Sequence, residues 1–285
     1  MAQITSSMVK ELREMTGSAM MDCKKALVET SGDIEAAKEL LRKKGQTIAN
    51  KKSSRETKEG AISIFLNEEQ TESALIKVAC ETDFVAINDK FKEFIASLSS
   101  QALETGTDDF MEKKTSKGLI KDQITNAIAE LGENIVFLEG EKWESSANSI
   151  IGSYTHTNGK IGVMVEVGSA SALENKDELK VLAKDIAMHI AASQVLAIRE
   201  EDIDPAALEK ERLFLIEQAK ESGKPQEIAE KMVVGRMKKY KKEICLLEQP
   251  FVKNGELTIA KLLAAKQTEL GVQQLEVKRF FKSSF

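Results

Sequence analysis

The chain has 285 residues, 41 basic and 46 acidic, with a formal charge of −5. That length can bury a substantial core in one large domain or in two to three smaller ones, and the near-balanced charge argues against a protein dominated by nucleic-acid binding, which needs a basic excess. Three cysteines, Cys23, Cys80 and Cys245, lie far apart without a Cys-x-x-Cys pair; neither a disulfide framework nor a zinc site is indicated, and they read as buried thiols in a reducing compartment. No secretory pattern opens the chain and no apolar run approaches the ~20 residues of a membrane span. A soluble, cytoplasmic protein with no membrane contact is expected.

Residues 5–44 read as three short helices. Met8, Val9 and Leu12 mark the first, Thr16-Gly17 breaks it, and Ser18 is placed to cap a second carrying Met21, Cys23 and Leu27. Gly32 ends that helix, Asp33 caps a third, and Gly45 closes the bundle. Residues 1–50 thus form a three-helix unit that resembles a ubiquitin-associated (UBA-like) fold. Adjacent Met20 and Met21 cannot both face inward on an amphipathic helix, so one of them is expected at the surface. Residues 51–59, with Lys51, Lys52, Arg55 and Lys58 among serines and threonine, read as a flexible linker.

From residue 60 the pattern changes to strands. Ala61 to Leu66 and Ser73 to Ala79 flank a polar turn, which is a β-hairpin signal. Cys80-Glu81-Thr82-Asp83-Phe84-Val85-Ala86 follows and leads into a helix marked by Phe91, Phe94, Ile95, Leu98 and Ala102. Phe84 on this connection is either a cap on the core under the helix or an exposed apolar tip beside the charge of Asp83. A second helix runs to Gly132, and Ile135 to Leu138 is a short strand, which completes a unit at 60–140. Something similar recurs over 141–203 and 242–285: a hairpin of Ile150 to His156 and Ile161 to Val167, a helix with Leu179, Leu182, Ile186 and Ile190, then a helix near Ile259 and a strand from Leu275 to Phe280. Between them, residues 204–241 read as an inserted antiparallel helical hairpin, opened by Asp204-Pro205 and turned at Ser222-Gly223-Lys224-Pro225. The fold class expected is therefore α+β.

Thr82-Asp83-Phe84-Val85-Ala86 resembles the signature of the elongation factor Ts family, the nucleotide-exchange partners of the GTPase elongation factor Tu. Val9 to Arg13 with Thr16-Gly17 and Met20 to Leu27 is similar to that family's opening motif. Gly152-Ser153-Tyr154-Thr155-His156, Ile186-Ala187-Met188-His189, Glu230 to Val233 with Gly235-Arg236-Met237, and Gln249-Pro250-Phe251-Val252 follow in the same order. The resemblance implies that Thr82, Asp83, Phe84 and Val85 form a wedge entering the GTPase near its Mg²⁺. It further implies that the bundle docks on that GTPase, with Leu12, Arg13, Met20, Met21 and Lys24 as contacts, that His156 makes another contact, and that the helical hairpin is an arm for a partner or a homodimer. Better-known members continue into a further C-terminal helix; this sequence stops at Phe285, so that contact is not carried over.

Catalytic chemistry is not indicated. Gly223-Lys224 has the end of a phosphate-loop pattern, but the upstream glycine is missing and Pro225 stands where a Mg²⁺-binding hydroxyl belongs, so no direct nucleotide binding is expected. The two histidines, His156 and His189, are not placed with a cysteine, and His189 reads as a satisfied core or interface residue. No cofactor, metal or nucleic acid is expected, and the protein is not an enzyme in its own right. Against the exchange factor stands a second class, a structural or RNA-associated translation protein that keeps the fold without exchange.

Overall fold

The computed structural model describes residues 4–172, 176–221 and 226–285, and over them the protein is α+β. Helix α1 (Ser6–Thr16) starts at Thr5, whose hydroxyl accepts from Met8 N, and ends at Gly17 with φ 67°. Helix α2 (Met20–Glu29) is preceded by Ala19, not by the expected Ser18 cap. Ser18 instead closes the turn, its N–H donating to Thr16 Oγ1 and its carbonyl accepting the Cys23 thiol. Asp33 caps α3 (Ile34–Lys52) as expected, accepting from Ala36 N at 3.0 Å. Leu12, Cys23, Ala26 and Leu27 form the fully buried centre of this bundle.

Helix α3 does not stop at Gly45. A helical glycine costs only about 1 kcal/mol relative to alanine, and Leu41, Gly45 and Ala49 line one buried face at four-residue spacing. Gly45 faces Thr125, and Ala49 joins the core of the next unit. Tertiary packing therefore carries the helix past the residue that a single helix would end on.

That next unit contains β1 (Glu59–Leu66), β2 (Glu72–Cys80), α4 (Asp83–Ile87), α5 (Asp89–Thr105), the short ladder of β3 (Lys114–Thr115) and β4 (Gly118–Leu119), α6 (Ile120–Leu131) and β5 (Val136–Glu144). Its sheet has the order β1-β2-β5, antiparallel throughout. Strand β5 is longer than Ile135 to Leu138, because the polar Glu139-Gly140-Glu141-Lys142 stretch pairs with β2 over half-buried positions.

The second unit repeats the plan with β6 (Ser149–Thr155), β7 (Ile161–Gly168), α7 (Lys176–Ala192), and, after the insertion of α8 (Pro205–Glu221) and α9 (Gln226–Ile244), the ladder of β8 (Pro250–Phe251) and β9 (Asn254–Thr258), then α10 (Ile259–Leu270) and β10 (Glu276–Ser284). Its sheet is β10-β7-β6, so in both units the third strand returns antiparallel beside the second strand of the hairpin. Gly152 permits the close approach of α7 to β6: a Cβ there would stand 2.4 Å from the carbonyl carbon of Ala183. The two sheets bury Ile62, Leu75, Trp143, Ile151 and Met164 between them.

Helices α8 and α9 share a thin seam of Leu215, Ala219 and Val233; the expected turn at residues 222–225 lies outside the described residues. The root of this arm is well tied. Leu196 N donates to Ile244 O at 3.0 Å and Leu246 N to Ala197 O at 2.9 Å. Gln249 Nε2 donates to the carbonyls of Gln194 and Glu243, and its Oε1 accepts from His189 Nε2 at 2.8 Å.

His189 is buried, and Val252 N donates to its Nδ1 at 3.2 Å, which requires the neutral ring. Burial holds the imidazole below its ordinary 6.5, partly offset by the bond to Gln249. Above that ordinary value the folded and unfolded chains are both neutral here. Below it the unfolded chain gains a proton that the folded chain refuses, so stability falls as the pH drops. The parent should lose more stability between about pH 7 and about pH 5 than His189→Gln does. Urea midpoints across that window check this, and parallel slopes would assign the acid response to other groups.

Candidate functional site

Strand β2 ends at Cys80, opposite Glu59 of β1, and the chain turns there into the single helical turn of α4. Thr82 is its N-cap, with Oγ1 accepting from Val85 N at 3.4 Å. Ala86 is buried and Val85 half-buried against the core, which seats the turn and points Asp83, Phe84 and Ile87 to solvent. Phe84 is 77% exposed. The aromatic that fills the core here is Phe91, fully buried on the inner face of α5 itself, and not Phe84. Of the two readings open for Phe84, the core cap is the one that fails.

The tip stands on a hydrogen-bonded base. Thr82 Oγ1 donates to Glu133 Oε1 at 2.6 Å, and the N–H groups of Glu81 and Thr82 both donate to Glu133 Oε2 at 3.0 Å. Glu81 Oε1 accepts from Asn134 N at 2.7 Å and faces the Arg55 guanidinium at 3.4 Å. Asn134 Nδ2 donates to Arg55 O at 2.9 Å. The Cys80 thiol donates to Thr82 O at 3.2 Å. Burial, with the Glu133 carboxylate adding to it, pushes this thiol up to about 12, so it stays protonated at neutral pH and is a structural donor, not a nucleophile.

Glu133 and Asn134 were not singled out in the sequence. Gly132, with φ 77°, ends α6 in the left-handed conformation that glycine favours, and a carboxylate just after a helix stop ordinarily reads as solvated. Only the pairing of β2 with β5 brings it under the tip.

His156 lies in the β6–β7 turn, exposed, with its Nδ1 3.1 Å from Tyr154 Oη. The same turn sits against β1, with Ile62 N donating to Gly159 O at 2.8 Å and Lys160 Nζ 2.5 Å from Glu59. Since Glu59 pairs with Cys80, the turn and the tip occupy one end of the two sheets.

The bundle is attached to the same unit. Helices α3 and α6 run side by side in parallel, from Gly45 against Thr125 to Lys52, whose ammonium donates to the carbonyl of Gly132. Asn126 Nδ2 donates to Thr16 O at 3.1 Å. Lys51 and Lys52 belong to α3 and Arg55 is tied to Asn134, so the expected flexible linker is a fastened crossing. Arg13, Met20, Met21 and Lys24 are exposed, whereas Leu12 is fully buried and has no surface to offer a partner. Both methionines are exposed, not one: the inner face of α2 is Cys23, Ala26 and Leu27, and the methionines occupy the first turn ahead of it.

An open groove of about 1170 Å³ runs along the arm past Ile216, Val233, Val234 and Met237. Among the described residues no cluster of histidine, cysteine and carboxylate side chains could hold a metal ion, and no helix is long and apolar enough to cross a membrane.

The model of the family described as Elongation factor TS matches residues 81–283. The chain is 46% identical over 274 residues to Elongation factor Ts of Clostridium novyi (strain NT), covering 94% of this chain and 88% of that protein. It is 47% identical over 271 residues to Elongation factor Ts of Hydrogenovibrio crunogenus, with the same coverage. A third relative, Elongation factor Ts of Clostridium botulinum (strain Eklund 17B / Type B), is 42% identical over 283 residues, covering 98% of this chain and 92% of its own length.

Proposed function

The chain belongs to the elongation factor Ts family, and from that premise we propose that it is a guanine-nucleotide exchange factor that binds elongation factor Tu loaded with GDP and promotes release of the nucleotide. The observation that carries this reading is the 77% exposure of Phe84 on a braced single turn. Phe84 and the exposed Ile87 on the same turn leave apolar surface that the fold of this chain does not cover, and an aromatic side chain so held suits a pocket in a partner. Phe84 separates packed elements of the GTPase, and Asp83 brings negative charge toward the Mg²⁺ that holds the diphosphate. Release then needs no catalytic group in this chain and no nucleotide site of its own. Linkage makes the effect reciprocal: the factor weakens GDP and GDP weakens the factor by the same ratio.

The exposed Arg13, Met20, Met21 and Lys24 serve as the docking face of the bundle, with Leu12 supporting them from inside. His156, at the same end of the sheets as the tip, is a second contact. The setting implied is the cytoplasm during translation elongation. The experiment that tests the reading is stopped-flow release of labelled GDP from elongation factor Tu: acceleration by this chain supports it, and binding without acceleration would favour the non-exchanging alternative.

The arm serves self-association. Replacing residues 209–239 by a short Gly/Ser loop retains Leu208 and Tyr240, which pack at the root beside Ile203 and Ile244. The variant should fold, keep most of its exchange activity and sediment with altered self-association. A folded variant without exchange would instead make the arm a primary GTPase contact.

A further inference from the structure

We infer that Glu133 is the positioning residue of the exchange reaction, holding the Thr82–Phe84 tip in one conformation and linking it to the bundle; this rests on the exchange reading above. Its carboxylate accepts three hydrogen bonds, from the residue before the tip and from the tip's first residue: the N–H groups of Glu81 and Thr82 and the Thr82 hydroxyl, at 2.6 to 3.0 Å. Bonds to a carboxylate are the stronger kind. The same hydroxyl accepts from Val85 N, so Glu133 also fixes the rotamer by which Thr82 caps α4.

Energetically, an exposed aromatic on a mobile loop would lose conformational entropy on entering a pocket, and that loss subtracts from the free energy available to displace the partner's packing. A turn of five residues has little helical stability of its own. Glu133 supplies the order from outside the turn, so the ring is presented before the partner arrives.

The base also reaches the bundle. Gly132, adjacent to Glu133, accepts from Lys52 at the end of α3, and Asn134, on its other side, bonds both Glu81 and Arg55. Three consecutive residues, 132–134, therefore join the end of α3, against which α1 and α2 with their docking face are packed, to the root of the tip. Docking of the bundle sets the tip's approach through this segment.

The test uses full-length Glu133→Ala and Glu133→Gln, alone and combined with Phe84→Ala. Glu133→Ala should lower the maximal GDP-release rate about tenfold, the effect of losing ~1.4 kcal/mol of transition-state stabilisation, with the half-saturating factor concentration nearly unchanged. Hydrogen exchange at the amides of Glu81 and Thr82 should quicken. Glu133→Gln, which keeps one acceptor oxygen, should recover part of the rate. Because Glu133 acts mainly through Phe84, adding either Glu133 substitution to Phe84→Ala should cost little further, no more than the smaller share that Asp83 supplies. Parent-rate release by Glu133→Ala, unchanged amide exchange, or additive losses in the double variant would each overturn the inference. If Glu133→Ala does not fold, the Gln variant decides by the same criterion: a loss that largely vanishes in the Phe84→Ala background supports the role, and no loss refutes it. Parent-rate release by Phe84→Ala itself would instead sink the exchange reading on which this rests.

Discussion

Phe84→Ala is expected to lower the maximal rate of GDP release by about tenfold or more while the protein melts close to the parent temperature. The ring is 77% exposed and its neighbours Val85 and Ala86 make the inward contacts of α4, so its removal leaves no cavity, and substitutions at such positions stay within about 0.5 kcal/mol. In the complex the same ring would bury apolar area worth ~1 to 3 kcal/mol. Energy realised in the ternary state with GDP appears in the release rate, where ~1.4 kcal/mol is a factor of ten. Asp83→Asn should give a smaller loss that varies with free Mg²⁺, because the charge acts on the metal's surroundings and not on packing. Stopped-flow release at saturating factor, with melting curves beside it, checks both. A normally melting Phe84→Ala that still releases GDP at the parent rate would rule out the wedge.

Replacing both Met20 and Met21 by serine is expected to weaken complex formation with elongation factor Tu by about 10- to 100-fold, with much of the release rate recovered at saturation. The two side chains offer apolar area at 55% and 62% exposure, and loss of ~1.4 to 2.8 kcal/mol of contact between them corresponds to that range at ~1.4 kcal/mol per decade. Point substitutions are the cleaner test here than removal of residues 1–50. Such a cut would strip α3 from α6 and uncover the core around Ala49, so weakened binding would not distinguish a lost docking face from a damaged unit. Calorimetry on the double variant decides, and parent affinity would exclude this face.

The elements with strong periodicity were legible in the sequence: the two hairpins, the helices after β2 and β7 and the start of the arm at Asp204-Pro205 stand where apolar spacing and caps put them. What was not legible depended on neighbours distant in the chain. Gly45 lies mid-helix because α6 covers it, β5 extends through a polar stretch because β2 pairs with it, and the crossing at Arg55 is tied because Asn134 lies beneath. The candidate site divides in the same way. Thr82 to Val85 could be picked out by motif, yet spacing alone left the direction of Phe84 open, and Leu12 within the opening motif proved to be core. Glu133 carried no local signal.

The insertion of the arm bears on how the second sheet closes during folding. In the first unit β5 returns to β2 after residues 81–135, whereas β10 returns to β7 after residues 169–275, a loop about twice as long; each doubling adds only about 0.6 kcal/mol of closure entropy. Even that difference shrinks once α8 and α9 pair, because Ala197 and Cys245 then meet in a parallel bridge and the arm's own length drops out of the loop. A locally formed helical pair thus acts as a short circuit in the chain. The third strand of the second copy searches a span comparable to that of the first, so an arm of this kind can be longer or shorter without slowing the closure of the sheet that carries it.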